Sequence, residues 1–258
     1  MSLKEKRNSP MYTTALIPHG NGKLVDYTDD SGNTFRYAQV NTRAVIDCPF
    51  RSAGCEAVCY ATKGNHVFKS VKDSRSRSYE ETRREDFGEA IAYTIRTEKE
   101  TARFRNSTMI VRIHESGDFY SVQYLRKWLK AWRELEQDDG VQFTFYTKSF
   151  PFFLMLTDEE ADDLNRMIDS GKIAMNLSMD DTTSPEQRIA YLKMLVRFPK
   201  SNTYRCTETP ETEKHDNVCD CENCAKCGTC NKGTGTVTVV KIHSASKADM
   251  ETYRENAK

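Results

Sequence analysis

Three cysteines fall within twelve residues in the stretch CPFRSAGCEAVCYATKG: Cys48, Cys55 and Cys59, spaced C-x6-C-x3-C. Cys55 and Cys59 are four apart, so on a helical turn their sulfurs share one side. Cys48 stands just before Pro49 and can fold back onto that pair. Three thiolates converging on one point leave a four-coordinate metal, or one iron of a four-iron cluster, with an open position where chemistry can happen. The other reading is a structural zinc closed by a fourth ligand, with His66 just downstream as the candidate.

The remaining cysteines stand together in a second knot. Cys219, Cys221, Cys224, Cys227 and Cys230 form C-x-C-x2-C-x2-C-x2-C, with Cys206 before them. That ladder is close to a ferredoxin-type cluster run, although no proline follows it, and the same residues could supply a four-cysteine zinc site. The C-x-C-x2-C start resembles the zinc site of tRNA-guanine transglycosylases, with His243 as a candidate fourth ligand. Acids at Glu208, Glu211, Glu213, Asp216, Asp220 and Glu222 surround the knot and argue against a nucleic-acid zinc knuckle. In a reducing compartment clustered cysteines are metal ligands far more often than disulfides, so two knots predict two metal centres.

The totals bound what else the chain can be. It has 258 residues, enough for one large domain or one domain plus an appendage. Lys+Arg and Asp+Glu are both 38, so net charge gives a nucleic-acid partner no support. Charged residues make up 29% and mean hydropathy is −0.71, the composition of a soluble protein. No apolar run approaches the ~18 residues of a membrane span. The stretch MSLKEKRNSP has no apolar segment after its basic residues, so no secretory signal is read there and a reducing cytoplasm is expected.

The elements that must position these cysteines follow from periodicity. Tyr12 to Pro18 reads as a first strand, and TFRYAQV (Thr34 to Val40) alternates as a strand leading into the cysteine loop. Residues 60–79 hold Lys63, Lys69, Lys72, Arg75 and Arg77 against Asp73, which reads either as a basic patch for a phosphate or carboxylate or as a solvated linker. Tyr79 to about Glu98 is helical. Then a rhythm sets in: strand Thr108 to His114, helix Val122 to Gln137, strand Val141 to Thr147, a helix after the capping box Thr157/Glu160, strand Lys172 to Ser178, and a helix from Ser184-Pro185 to Phe198. Late strands are expected at Asn202 to Cys206 and Thr236 to Ile242.

Successive β-loop-α units argue for a parallel sheet with right-handed crossovers. The fold class expected is α/β, a partial parallel barrel of about six strands over residues 1–200, with a C-terminal cysteine-rich metal-binding segment and final strand over 201–258. Function in such sheets gathers at the C-terminal ends of strands. His114-Glu115-Ser116-Gly117-Asp118 ends one strand, Thr147-Lys148-Ser149 the next, and Asn176, Ser178 and Asp180 the third. His114, Asp118, Tyr146 and Lys148 are the candidates to position substrate or move protons.

CPFRSAGCEAVCYATKG, VRIHESGDFYSVQYLRKW and FTFYTKS together resemble the bacteriophage gene-product-88-like family over roughly residues 45–150. That resemblance implies a phage or prophage origin, hence the cytoplasm of an infected or lysogenic host, and no settled activity. The layout also resembles radical S-adenosylmethionine (radical SAM) enzymes, which combine a partial six-stranded barrel, a three-cysteine loop after the first strand and often an auxiliary cluster. Their usual loop is C-x3-C-x2-C, against C-x6-C-x3-C here. Under this resemblance Cys48, Cys55 and Cys59 hold the reducing iron–sulfur cluster, and Glu115, Ser116, Gly117 and Asp118 take the place of the turn that binds the methionine amino group. Ser178 and Asp180 then lie near the ribose.

Lys63 or Arg75 could receive the ligand's carboxylate. The leading expectation is an iron–sulfur enzyme that cleaves S-adenosylmethionine to modify a small-molecule or nucleotide substrate, fed by an electron donor. The alternatives are a zinc-dependent base- or nucleotide-modifying enzyme, or a phage protein that uses both metal knots as staples to engage a host partner.

Overall fold

Alternation of apolar side chains lays down one sheet, and helical stripes cover one of its faces. The computed structural model describes residues 1–21, 24–207, 218–219, 235–242 and 245–257. The strands are β1 (Leu16–Ile17), β2 (Tyr27–Thr28), β3 (Thr34–Val40), β4 (Thr108–Ile113), β5 (Val141–Thr147), β6 (Ile173–Asp180), β7 (Asn202–Thr207), β8 (Val218–Cys219) and β9 (Val237–Lys241). The helices are α1 (Leu3–Arg7), α2 (Ala53–Ala57), α3 (Lys69–Arg83), α4 (Phe87–Lys99), α5 (Val122–Leu135), α6 (Phe150–Leu154), α7 (Asp158–Asp169), α8 (Pro185–Arg197) and α9 (Lys247–Asn256). Two 3-10 turns, Tyr60–Thr62 and Gly64–Val67, follow the cysteine loop.

The strand order is β1-β3-β4-β5-β6-β7-β9-β8, with β2 paired on β3 off that path. From β3 through β4, β5, β6 and β7 to β9 every pairing is parallel, so six strands run side by side in chain order. A sheet wound in one direction has no point where strand order reverses. With right-handed crossovers its helices therefore gather on one face.

The side chains follow that division. Ala38 and Val40, Met109, Val111 and Ile113, Val141, Phe143 and Phe145, and Ile173, Met175 and Leu177 all join one buried cluster with α4, α5, α7 and α8. The alternate residues make the opposite face, where Tyr37, Ile110, Ala174 and Val240 are apolar but most are polar: Gln39, Arg112, Thr144, Tyr146, Asn176, Ser178, Asn202, Tyr204, Cys206 and Thr238. Its middle is buried and bonded across strands. Asn202 Nδ2 donates to Asn176 Oδ1 at 3.3 Å, and Asn176 Nδ2 donates to the Phe145 carbonyl at 3.0 Å. Parallel strands buried on both faces normally carry apolar residues throughout. On this sheet one face is mostly polar towards the C-terminal ends of the strands.

The sequence reading of β3 and β5 matches the structure residue for residue, and α5 starts at Val122 as its apolar stripe predicts. Several expectations are corrected. The supposed linker at 60–79 is largely helix α3, and the helix expected from Tyr79 is two helices broken at 84–86, where the Arg84 guanidinium bonds Asp86. The first strand shrinks to Leu16–Ile17, antiparallel to β3. The sheet is mixed α/β and mostly parallel, traced as an open path. Cys221, Cys224, Cys227, Cys230 and His243 lie outside the described residues, and of Cys219 only the backbone in β8 is described. Among the described residues no helix is long and apolar enough to cross a membrane.

Helix α5 carries the largest part of the core, with Trp128 and Trp132 both fully buried. Trp132 stacks on Phe145 at 5.6 Å and meets Phe119 at 6.4 Å. Trp132→Ala should therefore cost about 3–5 kcal/mol in denaturant unfolding, because the cavity cannot collapse between helix and sheet. A cost below about 1 kcal/mol would mean the ring is not wedged as described.

Candidate functional site

The cysteine loop is held at the C-terminal end of β3 by a set of local bonds. After Val40 the chain enters Asn41-Thr42, whose polar groups engage the turn after β4. Asn41 Oδ1 accepts from the Glu115 N–H at 2.8 Å and the Ser116 N–H at 3.3 Å. The Thr42 N–H donates to the Ser116 carbonyl at 3.0 Å, and Ser116 Oγ returns to the Thr42 carbonyl at 2.8 Å. The Asp118 N–H reaches the Asp47 carbonyl, and Tyr60 OH donates to the Glu115 carbonyl. The loop of Cys48, Cys55 and Cys59 and the turn of His114 to Asp118 are thus one stitched unit.

Two non-glycine residues have left-handed backbones among the described residues, Val45 (φ 65°) and His114 (φ 62°). For a β-branched valine this costs on the order of 1–3 kcal/mol, and such strain gathers at functional sites. Gly117 also has positive φ (86°), and a Cβ there would stand 1.9 Å from Thr42 Oγ1. Only glycine lets the turn close onto Thr42.

A second set of bonds ties the loop to β6. Ser52 caps α2 by accepting from the Cys55 N–H, and its hydroxyl donates to Asp180 Oδ2. Asp180 Oδ1 accepts from the Thr182 N–H at 2.9 Å and Thr182 Oγ1 at 2.6 Å, and Thr182 Oγ1 in turn accepts from the Gly54 N–H. Lys148 Nζ lies 2.9 Å from Asp180 Oδ2, and both side chains are buried. Burial works to raise the Asp180 carboxyl, but the Lys148 ammonium and the hydroxyls of Ser52 and Thr182 outweigh it, so it stays ionised below its usual range. Helix α9 closes the far side of α2. Tyr253 is buried against Gly54, its hydroxyl accepts from the Asp181 N–H at 3.1 Å, and Asp249 pairs with Lys63 at 2.5 Å.

Among the described residues the cysteine thiols make no disulfide. Burial pushes all of them up: Cys55 to about 11, Cys206 to about 12, and Cys48 and Cys59 in the same direction. Cys48 feels the charges of Cys55 and Cys59, and Cys55 feels that of Cys59. Lys148 favours the thiolates of Cys55 and Cys206, and Arg75 and Lys63 favour that of Cys59. Among the described residues no three His, Cys, Asp or Glu side chains converge tightly enough to hold a single ion. In a tetrahedral zinc site the sulfurs stand ~3.8 Å apart, from metal–sulfur bonds of about 2.3 Å. A four-iron cluster takes each thiolate on a different iron and accepts sulfurs spread more widely. The loop offers the donor type such a cluster takes: three half-buried thiols with basic side chains beside them.

Cys206 sits at the end of β7, opposite Asp180 on β6 and within the electrostatic influence of Cys55 and Lys148. On its other side it pairs with Val240 of β9, which also pairs with Cys219 of β8, so Cys206 stands between the loop and the start of the second knot.

The structure separates the other candidates. Glu115, half-buried at the mouth, makes no ion pair or side-chain hydrogen bond among the described residues. Asp118 is buried and fully engaged: Oδ1 accepts from Thr147 Oγ1 at 2.8 Å and the Phe119 N–H at 2.7 Å, and Oδ2 from the Lys148 N–H at 2.9 Å. Burial pushes its carboxyl up to about 6 against those donors. It fastens the β4 turn to the end of β5. His114 turns into the helix layer, with Nε2 3.0 Å from Tyr124 OH and its ring edge-on to Phe119, and burial drives it down to about 3. The ring is therefore neutral and faces away from the mouth.

Ser178 and Tyr146 lie on the polar face, where Lys148 Nζ reaches the Ser178 carbonyl at 3.4 Å. Lys63 and Arg75 do not wait for a ligand. Lys63 is taken by Asp249, and Arg75 donates to the Ala61 carbonyl at 2.9 Å and meets His66 Nδ1 at 2.7 Å. His66 thereby serves Arg75. Asn41, Thr42, Ser52, Tyr60, Arg112 and Tyr253 were missed, since their roles arise only when distant loops meet.

Residues 3–233 match the model of the gene product 88 family, and the chain belongs to that family. The Gene 88 protein of Mycobacterium phage L5 is 26% identical over 199 residues, covering 74% of this chain and 81% of that protein. The Gene 88 protein of Mycobacterium phage D29 is 26% identical over 208 residues, with the same shares. No solved structure matches.

Gly117→Ala should drive the turn off Thr42 and lower the melting temperature by several degrees, from both the left-handed backbone and the clash. Thr42→Ala in the same chain should recover part of that loss by removing the hydroxyl. Equal melting temperatures for the single and double variants would dismiss the close approach.

Proposed function

We propose that this member of the gene product 88 family is a phage-type iron–sulfur enzyme of the radical SAM kind, working in the host cytoplasm on a small-molecule or nucleotide substrate. The observation that carries this reading is the setting of the loop. Three half-buried thiols stand at the C-terminal end of the first of six parallel strands in chain order, above a sheet face that is mostly polar. A singly wound sheet of that kind curls into a partial barrel with the polar face as its lumen.

In this reading Cys48, Cys55 and Cys59 would hold a four-iron cluster. When bound and reduced by a low-potential donor, it would supply the one-electron chemistry that cleaves S-adenosylmethionine to methionine and 5′-deoxyadenosine, the hydrogen coming from the substrate. Glu115, uncommitted at the end of β4, receives the amino group of the methionine moiety. Ser178 lies on the ribose side. Lys148 and Asp180 keep the loop seated, and the ammonium offsets charge on the thiolates nearby. Asp118 and His114 act as positioning residues, one fixing the turn to β5 and the other filling the layer beneath it. Tyr146 and Tyr204 line the substrate face. The cysteines beyond Cys206 form a second, auxiliary centre.

One observation favours a second reading. Cys206 beside Cys55 gives the mouth a fourth thiol, which could close the site around zinc as a staple or as part of a zinc-dependent enzyme. Metal analysis separates the two. Anaerobically prepared protein should carry about eight irons with matching sulfide if both centres are four-iron clusters. Cys55→Ala should lose about half of that iron, and Cys206→Ala should keep it. Reduced protein should slowly release 5′-deoxyadenosine and methionine from S-adenosylmethionine. Stoichiometric zinc without charge-transfer absorbance, lost on Cys206→Ala, would overturn the iron–sulfur reading in favour of the closed site.

A further inference from the structure

Among the described residues one cation on this face of the sheet forms no ion pair. Arg112 lies on β4 with Met109, Val111 and Ile113 turned to the helices, so its side chain goes to the other face, in register with Gln39 and Thr144. Its guanidinium carbon is 4.0 Å from the centroid of the Tyr146 ring, and that ring meets Tyr204 edge-on at 4.7 Å. Among the described residues it forms no ion pair, and its buried Nε has no hydrogen-bond partner.

The other buried or half-buried cations are treated differently. Lys148 has Asp180, Arg43 has Asp47, Arg75 has Ala61 and His66, Lys172 has the Asp138 carbonyl, and Lys99 has two carbonyls. Arg103 and Arg197 also leave Nε unbonded, yet each spends Nη2 on a carboxylate or carbonyl. A guanidinium is charged at every working pH. Tyr146 and, at longer range, the Glu115 carboxylate support the charge of Arg112, but no carboxylate is seated on its fork, which leaves those N–H groups for an oxyanion.

We propose that Arg112 is the anion anchor of a substrate pocket on this face, taking the terminal carboxylate or phosphate of a small molecule through its paired N–H groups. This rests on the polar face being the substrate face. Depth limits the class. The next residue down on that face of β4, Ile110, is buried, as are Tyr37 beside it on β3 and Ala174, level with Arg112 on β6. An end group can reach Arg112; the middle of a nucleic-acid strand cannot pass through. Arg112 also lies below the Glu115 turn on the same strand, close enough to feel its charge, so the anchor and the cofactor's amino-acid end are neighbouring but distinct groups. The tyrosines add a wall against which the rest of the molecule rests.

The test uses the full, metal-replete chain at low ionic strength, with inorganic phosphate and acetate as probes, read by calorimetry and thermal melting. One probe should bind saturably and raise the melting temperature, and which one does so separates phosphate from carboxylate. Arg112→Met should abolish that binding while melting at or above the parent temperature. Arg112→Lys, which keeps charge but loses the fork, should bind about tenfold more weakly. Affinity for S-adenosylmethionine should be unchanged in Arg112→Met. If the parent fails to bind S-adenosylmethionine yet binds an oxyanion through Arg112, the radical reading falls and the anchor stands. The proposal is overturned if neither probe binds the parent, if Arg112→Met binds as well as the parent, if it melts several degrees lower, or if it loses S-adenosylmethionine instead.

Discussion

The buried carboxylate of Asp180 is the constraint on which the mouth of the sheet depends. It accepts from Ser52 at the cap of α2, from Thr182 in the loop after β6, and from Lys148 at the end of β5. Three segments far apart in sequence therefore converge on two oxygen atoms. Taking a carboxylate and an ammonium out of water is costly, and their attraction compensates only when the remaining lone pairs and protons find partners. Here they do. Removing one member would strand a buried charge, a loss of about 3–5 kcal/mol, where replacing the whole set by apolar groups of equal shape would not. The arrangement thus fixes which loop lies over which strand, and the cysteines inherit their place from it.

The opposite side of the loop is set by backbone rather than charge. Asn41 and Thr42 bind the turn after β4 through main-chain groups, and Val45 and His114 are held in conformations their side chains disfavour. Strain of this kind persists only where surrounding bonds over-determine it. The stitched loop and turn supply those bonds. Rigidity is required if thiols, carboxylate and guanidinium are to stand in fixed relation without a bound molecule.

Much of the scaffold could be read from the chain because period-two and period-3.6 patterns are local. TFRYAQV and VQFTFYT are strands by alternation alone, and the stripe Leu125, Trp128, Leu129, Trp132 announces α5. Helix α3 was not legible: KSVKDSRSRSYEETR is nearly devoid of apolar residues, and its helicity rests on buried Arg75, Ser78 and Thr82. The loop cysteines stood out by spacing, and the strand-end rule located Glu115 and Lys148. The partners that decide each residue's role stayed hidden, because they come from other loops. Lys63 looked available until Asp249, on α9, took it. Asp118 looked like a group for a ligand until Thr147 and Lys148 occupied both its oxygens. Arg112 was passed over as one charge inside an apolar strand, although that isolation was itself the signal.

Tyr253 of α9 rests on Gly54 of α2, a contact between residues roughly 200 positions apart. Strand β9 ends only a few residues before α9 begins, so the last strand of the sheet and the helix that covers α2 emerge together. Until α9 docks, one flank of α2 stays uncovered. Once it docks, Tyr253 lies on Gly54 and Asp249 pairs with Lys63, so the wall of the cysteine loop is completed by the last helix among the described residues to be made.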